Sequence, residues 1–193
     1  MTDRGGQGRR TRVLALCGSL RAASINASLL RAGARLAPEG ISVTLFVSLG
    51  SLPLFNPDLE PAPPAAVLAL RQAVAAADAL LIASPEYAHG LSGTVRNALD
   101  WLVSFEPFVG KPVALINASP RAHHAHEALL ETLATMSARL LREACIALPL
   151  LGSGLSEDGM VADPQVAGAV RAVLECLASA ARGAAGAASF PVG

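Results

Sequence analysis

Three short stretches concentrate the residue types that hold ligands, and each follows an apolar run: "GSLRAASIN" (18–26), "SPEYAHGLSG" (84–93) and "NASPRAHH" (117–124). In the first, Gly18 permits a close backbone approach. Ser19, Ser24 and Asn26 supply short polar side chains at a helix start, where free N–H groups and the dipole attract an anion. Arg21 adds a guanidinium that can grip phosphate oxygens or close over them. Plain N-capping accounts for Ser24 or Asn26 taken singly. Two serines, an Asn and an Arg in one turn point to an anion cradle.

The second stretch continues to "TVRNALDW" and holds the only Tyr and the only Trp of the chain. Pro85, Glu86 and Tyr87 leave an apolar run without a helical turn, so their backbone faces outward and can read the edge of a heterocycle. Gly90 and Gly93 clear bulk for a planar ring, and Tyr87 or His89 can cover a face of it. The plainer alternative packs Tyr87 on the core and leaves Glu86 solvated. Ser92 or Gly93 caps the next helix, and Trp101 belongs in the interior or at a subunit contact. In "RAHHAHE" (121–127) the spacings of His123, His126 and Glu127 would suit a metal, but no Cys or Asp cluster joins them. No metal site is expected; these histidines are solvated or line an acceptor pocket. "GLSGT" lacks the last Gly of a serine-hydrolase elbow, and no second carboxylate accompanies Glu86. No side chain is assigned as catalytic.

The elements that must position these loops follow from periodicity. Apolar or β-branched runs at 12–19, 41–48, 79–84, 112–119 and 144–150 predict five strands, and the segments 25–37, 64–77, 94–103, 123–140 and 164–181 predict helices. Strict alternation makes a doubly wound α/β fold with a parallel sheet buried on both faces. Ligands of such folds bind beyond the C-terminal strand ends, where the three polar loops lie. "GSGLSEDG" (152–159) opens no helix directly and is expected to be a surface turn. Residues 1–10 and 183–193 are expected to be flexible tails around one domain at 11–182.

Length and composition narrow the class. At 193 residues, 52% hydrophobic and 16% charged, the chain makes one well-buried domain, and a formal net charge of +0 offers no field for nucleic acid or an anionic membrane. The positive mean hydropathy owes much to Ala, and no apolar stretch reaches the ~18 residues of a spanning helix. The opening "MTDRGGQGRR" has no apolar core of a secretory signal, and Cys17, Cys145 and Cys176 form no CxxC. They read as small core residues in a reducing cytoplasm. The first loop is neither GxGxxG nor GxxxxGK[ST], and strand two ends in "FVSLG" without an acidic residue. A mononucleotide remains, its phosphate on the first loop and its ring further along the strand ends.

"GSLRAASINASLL", "SPEYAHGLSGTVRNALDW" and "GKPVALINASP" together resemble the NADPH-dependent FMN reductases of the flavodoxin-like superfamily, which includes quinone, azo-dye and chromate reductases. The likeness runs from Arg12 to Leu177. It implies the flavodoxin-like strand order 2-1-3-4-5 and FMN phosphate on Ser19, Arg21, Ser24 and Asn26. It also implies isoalloxazine bordered by the backbone of Pro85, Glu86, Tyr87 and Ala88, with Ser119 near the ring. NADPH or NADH would be the donor, a small molecule the acceptor, and the assembly a homodimer or homotetramer. The helix of Trp101 and the loop at Phe105, Pro107 and Phe108 are the expected exposed apolar contact. Family members often carry Asn where this chain has Ala88, and Lys where it has Arg96. A flavodoxin-type electron carrier and a flavin-free phosphate-sugar enzyme with Glu86 as nucleophile are the alternatives; the neutral charge speaks against the carrier, whose docking surface is usually acidic.

Overall fold

The computed structural model describes residues 9–187. Strand β1 (Thr11–Cys17) leads to helix α1 (Ile25–Leu36), β2 (Ile41–Phe46), α2 (Ala65–Ala76) and β3 (Ala79–Ala83). A small hairpin follows, β4 (Glu86–Tyr87) with β5 (Gly90–Leu91), and then α3 (Gly93–Asp100), β6 (Pro112–Asn117) and α4 (His123–Thr135). The described residues continue through β7 (Arg139–Leu140), β8 (Ile146–Ala147), α5 (Glu157–Ala162) and α6 (Pro164–Ala187).

The parallel sheet runs β2-β1-β3-β6-β7, with β8 also paired to β6. This is the expected 2-1-3-4-5 order, except that the fifth strand is split into two short bridges. Pro149 cannot donate to a ladder, and the turn at Arg142–Ala144 interrupts the run, so the single strand expected at 144–150 is not formed. The helix expected at 123–140 stops at Thr135 because Ser137 takes φ 59°, which frees residues 139 and 140 to pair with β6. The turn at 152–159 does open a helix after all: Gly152 and Gly154 turn with positive φ, and the Ser156 hydroxyl accepts the Gly159 N–H to cap α5. At the far end α6 continues to Ala187, beyond the boundary expected at 182; residues 1–8 and 188–193 of the expected tails lie outside the described residues.

Side chains of a strand alternate between faces, and here both faces are covered. Val13, Ala15, Leu81 and Ile116 pack with α1, α5 and α6; Leu14, Leu16, Leu80, Ile82 and Leu115 pack with α2, α3 and α4. Each fully buried Leu contributes roughly 1.5–3 kcal/mol, which fixes the sheet as a rigid base for the loops at its C-terminal edge. The cysteines are unpaired and half-buried at the margins of these two layers rather than inside them. Among the described residues no helix is long and apolar enough to cross a membrane.

Candidate functional site

The three polar loops emerge side by side, because β1, β3 and β6 are parallel neighbours. Between them opens a cavity of about 420 Å³, within the size range of cofactor sites. From the first loop it is lined by Ser19, Arg21, Ser24 and Asn26; from the second by Pro85, Glu86 and Tyr87; from the third by Ser119. Ala88 and Gly90, expected at the same place, do not line it. Ser84, Asn117, Arg121 and Leu151 line it without having been singled out. Arg121 and Asn117 were legible in principle, since both flank Ser119 on the third loop.

At the first loop α1 begins with Ser24, whose hydroxyl accepts the Ala27 N–H at 3.2 Å. The serine therefore caps the helix and faces the cavity at once. Asn26 is buried at 5% exposure, and among the described residues its Oδ1 has no hydrogen-bond partner. A buried amide left unpaired at the mouth of a helix N-terminus is costly unless a ligand completes it. Since the two ends of the amide are interchangeable by rotation, either a donor or an acceptor can be presented there. No carboxylate stands in the first turn of α1. Gly18 does allow a close approach, though to protein: its N–H donates to the Ala83 carbonyl at 2.8 Å, and a Cβ there would come within 2.5 Å of Ser84 Oγ and 2.7 Å of Ser92 Oγ. It lets the ends of β1 and β3 meet.

The second loop is a two-residue hairpin. Ala88 and His89 sit at φ 49° and 58°, the pair of positive values that a type I′ turn requires. Pro85–Tyr87 are thus presented by a β-ribbon. The carboxylate of Glu86 ties this ribbon to α4: Oε2 accepts the Ala125 N–H at 2.9 Å and Oε1 meets His89 Nδ1 at 3.0 Å. The Ala125 amide, with His89 assisting, holds the carboxyl below the ordinary carboxylate range. Ala122 offers α4 no side-chain cap, so Glu86 serves that helix from 39 residues away. Glu86 is neither solvated nor free. Tyr87 is not packed on the core; it is 58% exposed at the cavity rim.

Gly90 and Gly93 were expected to clear space for a ring. A Cβ at Gly90 would meet only the Tyr87 carbonyl, at 3.5 Å, and at Gly93 nothing within 4 Å, so neither guards the cavity. Ser92 caps α3 through the Val95 N–H. Asn97 and Trp101 hold the loop between β2 and α2: Asn97 accepts the Phe55 N–H, and both Asn97 Nδ2 and Trp101 Nε1 donate to the Pro53 carbonyl. Trp101 is fully buried, edge-on to Phe55. Phe108 is buried as well, at 1% exposure, which removes it from the expected contact surface; Val103 and Val109 are the exposed apolar residues nearby in sequence.

On the third loop Asn117 accepts the Ser119 N–H through Oδ1 and donates through Nδ2 to the Ala122 carbonyl, both at 2.9 Å. His89 and His124 meet edge to face at 4.6 Å, and His123 lies 4.1 Å from His124. None of these three lines the cavity between the polar loops. His126 turns inward behind its wall, beside Ser84 and Asn117. Among the described residues no group of three His, Cys, Asp or Glu side chains is placed to hold a metal ion.

Residues 11–149 match the family described as NADPH-dependent FMN reductase. The chain belongs to that family. Among curated relatives it is 40% identical over 111 residues to an NAD(P)H-dependent FMN reductase of Pseudomonas aeruginosa, covering 56% of this chain and 60% of the relative. A 2-hydroxy-1,4-benzoquinone reductase of Burkholderia is 40% identical over 111 residues, with the same coverage of 56% and 60%. The match thus spans about three fifths of the length of these relatives. Among solved structures, FerB of Paracoccus denitrificans, a flavoenzyme NAD(P)H:(acceptor) oxidoreductase, superposes with a TM-score of 0.77 at 28% identity, over 88% of this chain and 98% of that one.

Proposed function

We propose that this chain is a cytoplasmic FMN-dependent oxidoreductase that passes electrons from NADPH or NADH to a small acceptor: a quinone, a free flavin, an azo compound or a metal oxyanion. The observation that carries this is the unpaired, buried amide of Asn26 opening onto the cavity at the start of α1, beside Ser19, Arg21 and Ser24. The donor set fits a phosphate monoester. Free N–H groups of the first helical turn, short hydroxyls and one guanidinium complement its charge, with no carboxylate in the first turn to oppose it.

Ser19, Arg21, Ser24 and Asn26 would hold the phosphate, and the backbone of Pro85–Tyr87 with Ser119 would border the ring. When bound, FMN would supply the two-electron redox chemistry that links the nicotinamide donor to the acceptor. The protein's part is orientation. Gly18 brings the first two loops together, Glu86 pins the hairpin to α4, and Asn117 fixes the third loop. The engaged carboxylate of Glu86 disfavours the alternative in which it attacks a phosphorylated sugar.

We further infer a homodimer or homotetramer. Leu20, Val47, Tyr87 and Leu151 are exposed on loops at the C-terminal edge of the sheet, and Tyr87 and Leu151 line the cavity itself. The functional test is direct. Purified protein shows the absorption bands of oxidised flavin, and added FMN plus a quinone supports NAD(P)H oxidation. Apoprotein that binds neither FMN nor riboflavin overturns the proposal.

A further inference from the structure

Among the described residues the cavity wall carries two arginines, and a phosphate cradle at α1 accounts for one. Arg21 belongs to the loop after β1, Arg121 to the loop after β6, and β3 lies between those strands. Their backbones therefore leave the sheet roughly 10 Å apart, two inter-strand spacings. Arg121 is exposed, and among the described residues it has no carboxylate partner. Among the described residues the one carboxylate on the cavity wall, Glu86, is occupied by Ala125 and His89.

The base of Arg121 is held from several sides. Its N–H donates to Ser119 Oγ at 3.3 Å, and its carbonyl accepts from His123 Nδ1 at 3.1 Å, so that nitrogen carries the ring proton. Asn117 secures the Ser119 N–H before it and the Ala122 carbonyl after it. An uncompensated guanidinium on a fixed base, beside the ring end of a cavity, is suited to a planar or forked anion.

We propose that Arg121 reads an anionic substituent on the electron acceptor, so that this chain prefers quinones bearing a sulfonate, carboxylate or ionised hydroxyl over their neutral parents. This rests on the oxidoreductase assignment and adds a substrate class to it. Being exposed, the contact weakens with salt, so the preference shrinks as ionic strength rises.

The experiment uses the FMN-loaded protein and two readouts. Calorimetric titration with naphthalene sulfonate and with naphthol, neither of which is reduced, measures the charge preference without turnover. Steady-state kinetics with a naphthoquinone sulfonate and the parent naphthoquinone measures it in kcat/KM. The expected result is that Arg121→Ala lowers the charged-to-neutral ratio about tenfold in both readouts, the size of one charge-assisted hydrogen bond, and that Arg121→Lys keeps most of it. The ratio of FMN to riboflavin affinity stays where it was.

Equal losses for charged and neutral ligands would give Arg121 a role in shape alone and overturn the proposal. So would a drop in FMN affinity that spares riboflavin, which would move Arg121 into the phosphate cradle. A changed NADPH-to-NADH preference with acceptor selectivity intact would put the guanidinium on the donor's phosphate, and that too overturns it. If neither quinone supports NAD(P)H oxidation while the calorimetric difference persists, the oxidoreductase assignment fails and the anion site stands.

Discussion

Arg21 and Asn26 reach the same cavity from opposite circumstances. Arg21 is exposed, whereas Asn26 is buried and, among the described residues, its amide oxygen is unpaired. Replacing either by Ala is expected to weaken FMN by about 1–3 kcal/mol, the range for a charge-assisted hydrogen bond, and to leave riboflavin nearly unaffected. Titration of apoprotein with both flavins checks this; equal losses would mean the phosphate sits elsewhere. His126 yields a second expectation. Burial pushes its imidazole below the ordinary 6.5, with Glu127 opposing. The unfolded chain then takes up a proton that the folded chain refuses, so the stability linked to His126 is fully present above pH 6.5 and is lost as pH falls toward the depressed folded value. His126→Leu should therefore lose less Tm than the unsubstituted chain on acidification from neutral pH to about 5. Residue types pointed to the loop that lines the cavity at the start of α1, because helix starts and short polar side chains follow local rules. At "NALDW" the interior place expected for Trp101 holds, but the partners of Asn97 and Trp101 are Pro53 and Phe55, more than forty positions away, which local sequence does not reveal.

The hairpin between β3 and α3 shows the same limit one level up. Strand β3 is legible as "ALLIA", but two-residue strands carry no periodicity, and the turn lacks the Asn-Gly pair that announces a type I′ hairpin. Its geometry is imposed from outside, by Glu86 on α4 and His89 on His124. Ala88 at φ 49° bears the conformational cost. Ala88→Asn, restoring the residue common among family members, should stabilise the protein by up to about 1 kcal/mol, since Asn tolerates the left-handed region better than Ala; the denaturant midpoint reports it. Glu86→Ala acts oppositely. It uncaps α4, so the Ala125 amide should exchange with solvent faster, while α1 amides hold their protection. In the unsubstituted chain the tether is present above the ordinary carboxylate value of 4.5 and is lost as pH falls through the depressed folded one. The split fifth strand was hidden for a related reason: Pro149 and the positive φ of Ser137 are local facts, whereas which fragments still pair with β6 depends on the sheet.

At the scale of the whole molecule, alternation of strand and helix decided the architecture, because a parallel sheet needs crossovers and both of its faces need cover. That logic predicts the buried layers and says nothing about the open edge. The C-terminal edge is where the burial is incomplete: Leu20 is 64% exposed, Val47 86% and Leu151 67% on loops beyond strand ends, and Tyr87 58% on the hairpin after β3. Covering these four side chains with a second copy would remove apolar surface from water, at roughly 25 cal/mol per Å², a contribution in the direction of association. A twofold pairing at this edge would also close the cavity mouth, so that each copy screens the other's ring from water. The expected mass in solution is therefore at least twice that of the chain. Val47→Glu together with Leu151→Glu should shift the protein toward the monomer by placing like charges across the pairing axis. Light scattering over micromolar concentrations decides the matter. A chain that stays monomeric throughout, with FMN bound, would show that this rim serves the acceptor alone; a dimer untouched by the two substitutions would place the contact on another face, with the groove between α3 and α4 flanked by Val103 and Val109 as the next surface to charge.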